Sequence, residues 1–140
     1  MDAIVLLRTQ HREVEKLFKA VDKGDLSVVP EICAALEEHA LIEEDVFYPA
    51  VRAEVPDEAS DILESLEEHL IVKRLVAELR EMDPDDEAYE AKATVLAENV
   101  RHHVREEEDE LFPAVRSALG RKRLVELADE MQRDRESAIA

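Results

Sequence analysis

The chain has 140 residues, 46% hydrophobic and 39% charged, enough to bury one core and too few for two. Two Gly, five Pro, 4% aromatic residues and no Trp leave few turns, and this composition excludes a sandwich or barrel in favour of long helices. Eighteen Lys and Arg against thirty-six Asp and Glu give a formal charge of −18, which repels phosphate backbones and anionic bilayers, so neither nucleic acid nor a membrane is an expected partner.

Turn signals at Lys23-Gly24-Asp25, Val55-Pro56-Asp57, Asp83-Pro84-Asp85-Asp86 and Leu119-Gly120-Arg121 divide the chain into helices at about 2–22, 27–53, 57–82, 86–118 and 121–136. The first helix turns Ile4, Leu7, His11, Val14, Phe18 and Val21 inward, and Gly24 suits the left-handed position that ends it. The second tolerates Pro30 in its first turn and points Ile32, Leu36, His39, Glu43, Val46 and Ala50 inward; Pro49, late in the pattern, predicts a kink or a stop. In the third, Asp57 is the expected N-cap and the seam is Ile62, Leu66, His69, Val72, Val76 and Leu79. The fourth gives Leu96, Val100, His103, Glu107, Leu111 and Ala114, with Pro113 placed like Pro49. A short fifth helix carries the stripe Leu124, Leu127, Ala128 and Met131 without any ligand type.

These elements predict an all-α, up-down-up-down four-helix bundle over residues 1–118, followed by an appended helix over 119–140 that packs on the bundle or pairs two copies as a homodimer. Each long helix aims one histidine at the core, and the second and fourth add a glutamate one turn later.

The second and fourth helices also repeat one another. His39-Ala-Leu-Ile-Glu43-Glu-Asp-Val-Phe-Tyr-Pro49-Ala-Val-Arg52 aligns without a gap on His103-Val-Arg-Glu-Glu107-Glu-Asp-Glu-Leu-Phe-Pro113-Ala-Val-Arg116. The register selects His103 rather than His102 as the partner of His39; His102 points about a hundred degrees away around the helix and is expected at the surface or supporting a ligand. The repeat also makes the first helical pair a copy of the second.

Residues four apart stack on one helix face, so His39 with Glu43 and His103 with Glu107 can each grip a metal centre from one helix. Four imidazoles and two carboxylates are too many for one tetrahedral zinc and suit two six-coordinate ions. His11 and His39 are expected on one ion and His69 and His103 on the other, with Glu43 and Glu107 bridging. With a solvent-derived bridge this makes five ligands per ion and leaves a position open on each. Imidazole and carboxylate accept manganese and zinc as well as iron.

This arrangement resembles the hemerythrin-like HHE cation-binding family: His11, His39-x3-Glu43 with Phe47-Tyr48-Pro49, His69, and His103-x3-Glu107 with Leu111-Phe112-Pro113, over roughly residues 2–118. The resemblance implies two irons with an oxo or hydroxo bridge that meet H2O2, O2 or NO. Oxygen-carrying members have a second histidine four residues after the one on the third helix and an aspartate as the last bridge; Lys73 and Glu107 stand there instead, which argues against reversible oxygen carriage. Catalase-like peroxide turnover is the expected function, and a sensor, binder or store of O2, NO or iron the alternative.

Other residues are given plainer roles. Tyr48 and Tyr89 are expected to pack, Lys73 to run along the surface with its amine in water, and Glu44 or Glu108 to hydrogen-bond a ligand imidazole. Cys33 is the lone cysteine and is expected as buried filler, since it cannot close an intramolecular disulfide. The N-terminal apolar run Ala3–Leu7 is too short for a signal-peptide core or a membrane span. Both features point to a cytoplasmic protein.

Overall fold

A computed structural model describes residues 1–139. Helix α1 (Ala3–Asp22) is capped by the Asp2 carboxylate, which accepts from the Val5 N–H at 2.9 Å, and it ends ahead of Gly24, whose φ of 94° is the left-handed conformation expected there. Helix α2 (Val29–Ile42) passes through a π-helical turn (Glu43–Phe47) into α3 (Tyr48–Glu54). A 3-10 turn at Pro56–Glu58 leads into α4 (Ala59–Glu81). After the turns around Pro84, α5 (Tyr89–Glu106) passes through a second π-helical turn (Glu107–Leu111) into α6 (Phe112–Ile139). No strand occurs among the described residues, and none of these helices is long and apolar enough to cross a membrane.

The two π turns correct the expected kinks. Each lies just before a proline: the Tyr48 N–H reaches back five residues to the Glu43 carbonyl, and the Phe112 N–H to that of Glu107. The extra residue in the turn accommodates the ring of Pro49 or Pro113, so the chain runs on as helix. It also advances the inward face by one position. Phe47, Tyr48 and Val51 are buried where Val46 and Ala50 were expected, and Phe112 and Val115 where Ala114 was expected. Asp57 does not cap α4: it lies inside the 3-10 turn, and Glu58 takes the cap position without a side-chain bond.

The apolar core falls into two parts. One holds Ile4 and Leu7 of α1, Ile42, Phe47 and Tyr48, Ile62 of α4, and Leu111, Phe112 and Val115. The other holds Val14 and Phe18 of α1, Ile32 and Leu36 of α2, Val76 and Leu79 of α4, and Leu96 and Val100 of α5. Thus α1 and α4 run from the first part to the second, and α2 and α5 run back, which is the up-down-up-down order. Between the parts, on all four helices, lies a layer containing His11, His39, Glu43, His69, His103 and Glu107.

Helix α6 bends at Gly120, where φ is 75° and ψ 171°. Beyond the bend Leu124, Leu127 and Met131 are fully buried in the first core part, and the Arg123 guanidinium forks onto Glu54 with two 2.8 Å bonds. Of the two covers expected for this apolar stripe, the bundle or a second copy, Leu124, Leu127 and Met131 therefore take the bundle. Truncating Leu127 to Ala is predicted to lower the unfolding free energy by about 2–5 kcal/mol in urea melts while leaving the solution mass unchanged, as for any core leucine. A mass that drops on substitution would place this helix at a subunit interface instead.

Candidate metal centre

The layer brings together all six residues singled out by periodicity. The imidazoles of His11, His39, His69 and His103 are 6–8% exposed, Glu43 0% and Glu107 1%. His11 and His39 face each other with ring centroids 4.8 Å apart, and His69 and His103 do so at 5.1 Å. Glu107 reaches both pairs, with Oε1 at 3.2 Å from His11 Nε2 and Oε2 at 3.3 Å from His103 Nε2. Glu43 Oε1 lies 3.1 Å from both His39 Nε2 and His69 Nε2. The result is two overlapping donor sets, His11, His39, Glu43 and Glu107 on one side and His69, His103 and Glu43 on the other.

All four rings present Nε2 inward because each Nδ1 donates outward. His11 bonds to Glu108 at 2.6 Å, His69 to Glu44 at 2.7 Å, His39 to Gln10 at 2.5 Å and His103 to Glu68 at 2.7 Å. Such bonds fix the tautomer and the ring orientation. Glu44 and Glu108 meet the expectation placed on them; Gln10 and Glu68 were missed. Their signal was position, each standing immediately before the histidine of a helix that lacks a ligand glutamate. The pattern has a two-fold logic, in which Glu44 with His69 mirrors Glu108 with His11, and Gln10 with His39 mirrors Glu68 with His103.

Tyr48 breaks the symmetry. It is buried as expected, yet its role exceeds packing, because its hydroxyl donates to Glu107 Oε2 and lies 3.2 Å from His69 Nε2 and 3.3 Å from His103 Nε2. The equivalent residue is Phe112, whose ring stacks on His11 at 5.9 Å and carries no hydroxyl. Lys73 is half exposed and bonds Glu44 at 2.6 Å, so it touches the layer only through Glu44 and His69. His102 is exposed, as expected, against Glu106 at 2.9 Å, and Cys33 is buried without a disulfide.

Electrostatics without cations are those of protons held in their place. Burial opposes a charge on His11, but bonds to Glu107 and Glu108 and the field of Glu107 and Glu43 push it up to about 9. For His103, burial is again outweighed, by Glu107, Glu43 and Glu68, and the ring is pushed up to about 10. His69 is raised by Glu43 and Glu44 against its burial. Burial raises Glu107, yet the imidazoles of His103 and His11 hold it well below the usual carboxylate range; Glu43 is lowered in the same way despite burial and repulsion from Glu107. Burial, with Glu107 and Glu43 beside it, drives the Tyr48 phenol well above its ordinary value.

One further observation bears on what belongs there. While the rings are neutral and donate through Nδ1, His11 Nε2, His39 Nε2, both oxygens of Glu43 and Glu107 Oε1 are buried acceptors with no hydrogen-bond donor among them. Orphaned donor atoms of this kind are costly in a protein interior and here all face one another, as ligands to cations do. A cavity of about 820 Å³ opens onto the same layer, walled by Val14, Phe18, Leu36, Val76 and Val100.

A helical bundle enclosing paired His and Glu donors defines a metal-binding class of protein. Residues 2–115 match the hemerythrin HHE cation-binding domain, so the chain belongs to the hemerythrin HHE cation-binding family. Its backbone superposes on the crystal structure of a hemerythrin HHE cation-binding domain-containing protein from Mycobacterium kansasii, an Rv2633c homolog, with a TM-score of 0.77, 21% identity, and coverage of 99% of this chain and 90% of that one. It is also 30% identical over 132 residues to a protein of Nostoc sp. (strain PCC 7120) named DNA nickase; the match takes in 91% of this chain but only 37% of that relative.

The pKa directions predict how cation-free protein responds to pH. Raised imidazoles stabilise the fold fully below the free value of 6.5, and that contribution is lost as pH climbs through about 9 for His11 and about 10 for His103. The lowered carboxylates contribute above 4.5 and cease to as pH falls through their folded values. Calorimetry of chelator-treated protein should therefore show the highest melting temperature between pH 4.5 and 6.5 and a decline toward alkaline pH. A melting temperature that rises steadily above neutrality would contradict these assignments.

Proposed function

We propose that the chain is a non-haem di-iron protein that reacts with small oxygen or nitrogen species, foremost H2O2, and that it turns peroxide over. His11 and His39 would hold one iron and His69 and His103 the other, with Glu43 and Glu107 as the carboxylate ligands. The observation that carries this reading is the set of buried, partnerless ligand atoms aimed at one another. Bound iron would supply the paired electron changes by which 2 H2O2 become 2 H2O and O2.

The chain's own residues do the rest. Four outward Nδ1 bonds hold the imidazoles in place for the cations. The large cavity, whose inner wall includes Val14, Phe18, Leu36, Val76 and Val100, gives uncharged small molecules a way to the layer. The Tyr48 hydroxyl fills the space beside His69 and His103, leaving the His11 and His39 half, backed by Phe112, as the face open to substrate. Lys73, tied to Glu44, leaves no second imidazole on α4, and so favours turnover over reversible oxygen carriage. Nicking of DNA, named for the Nostoc relative, is not part of this reading, because a charge of −18 repels a phosphate backbone. A buried, unpaired Cys33 fits a reducing cytoplasm.

Iron-loaded protein is predicted to evolve oxygen steadily from H2O2 at an oxygen electrode, and His39→Ala or Glu107→Gln to abolish it. A change in the visible spectrum without oxygen evolution would overturn turnover in favour of binding or sensing. Absence of near-ultraviolet ferric absorption would overturn iron. Chelation is also predicted to lower the melting temperature by many degrees, since it strips the partners from buried ligands; an unchanged melt would contradict an internal cation site.

A further inference from the structure

Cations reach the layer past packed helices, and the large cavity offers them a lining of mixed charge. Its rim carries the basic side chains Arg12, Lys73, Arg80, Arg101 and Arg105 among its acids. A second opening, about 40 Å³ and so able to hold a few waters, lies where α4 meets α5 and the second π turn. It is lined by Asp61, Glu64, Glu106 and Glu110, with Ser65 and Leu111, and no basic residue is among the described residues that line it. Glu107 also lines it, buried to 1% exposure. Thus an opening lined by carboxylates reaches a buried one that belongs to the inner cluster.

Beside the same groove is a second donor cluster. His102 Nε2 lies 2.9 Å from Glu106 Oε1 and 3.8 Å from Glu68 Oε2, so that one imidazole and two carboxylates converge at the surface. Glu106 is common to this cluster and to the opening, and the other oxygen of Glu68 holds His103 at 2.7 Å. Oxygen and imidazole donors in this number suit a weakly held divalent cation.

Resting on the cation site proposed above, we infer that the acidic opening between α4 and α5 is the inlet through which divalent cations reach that site, with Glu68, His102 and Glu106 forming an outer, transient cation site at its edge. Division of labour follows from charge: metal passes the carboxylate-lined inlet, and uncharged substrate takes the apolar cavity on the other side of the layer. Carboxylates focused on a narrow opening raise the local cation concentration and the rate of capture, while the inner ligands set how much metal is finally held.

Cobalt(II) mixed with cation-free protein in a stopped-flow spectrometer tests the inlet through its visible absorption. The variant Asp61→Asn, Glu64→Gln, Glu110→Gln is predicted to load about tenfold more slowly yet reach the stoichiometry of the unaltered chain, as expected when steering charge is removed. His102→Ala is predicted to slow loading as well. A control with the same change of net charge, Glu13→Gln, Glu87→Gln, Glu98→Gln, is predicted to load at the unaltered rate. Equal rates in the inlet variant and the unaltered chain, or equal slowing in inlet variant and control, would overturn the inlet while leaving the inner site standing. Failure of the unaltered chain to bind cobalt would instead overturn the inner site, and the inlet with it.

Discussion

Two carboxylates buried at the midplane of a helical bundle set the terms for everything around them. Glu43 and Glu107 lie among apolar side chains where an isolated charge is untenable, so positive charge must stand beside them in every stable state. His11, His69 and His103, whose imidazoles are raised, supply that charge as protons when no cation is bound, and the four imidazoles from four helices supply ligand atoms when cations take the protons' place. Cation uptake is therefore coupled both to pH and to stability. The apolar core is split in two by this layer, so the bundle's packing and its donor cluster are one construction rather than a scaffold with a site added.

The near two-fold arrangement explains how a short chain builds so demanding a layer. One pattern, a histidine on one helix and His-x3-Glu on the next, occurs twice, and each copy contributes hydrogen-bond acceptors to its own rings and to those of the other. Each copy also has a π turn that begins at its glutamate and ends two residues before a proline. Symmetry ends where Tyr48 faces Phe112. A single hydroxyl makes the two halves chemically unequal, giving one an oxygen group at the layer and the other a bare aromatic face.

Much of this was legible from residue order. Helical periodicity placed His11, His39, His69 and His103 on inward seams, and the repeat singled out Glu43 and Glu107 from the acidic runs around them. The π turns were not legible in the same way, because seam analysis assumes a constant period of 3.6, and one inserted residue shifts every later position by about a hundred degrees. That is why Val46, Ala50 and Ala114 were expected inside and Phe47, Tyr48 and Val115 are found there. Pro49 and Pro113 marked the right places but with the wrong consequence. The fifth helix shows another limit: an amphipathic stripe such as Leu124, Leu127 and Met131 states that something covers it, not which chain does, and of the two covers expected, the bundle or a partner, the bend at Gly120 returns it to its own core.

Diffraction from iron-soaked crystals on either side of the iron absorption edge tests the central claim most directly. Two anomalous peaks should appear in the buried layer, one between His11 and His39 and one between His69 and His103, with Glu43 and Glu107 adjacent to both. Anomalous density confined to the surface, with the four imidazoles closed on hydrogen bonds or water alone, would contradict it.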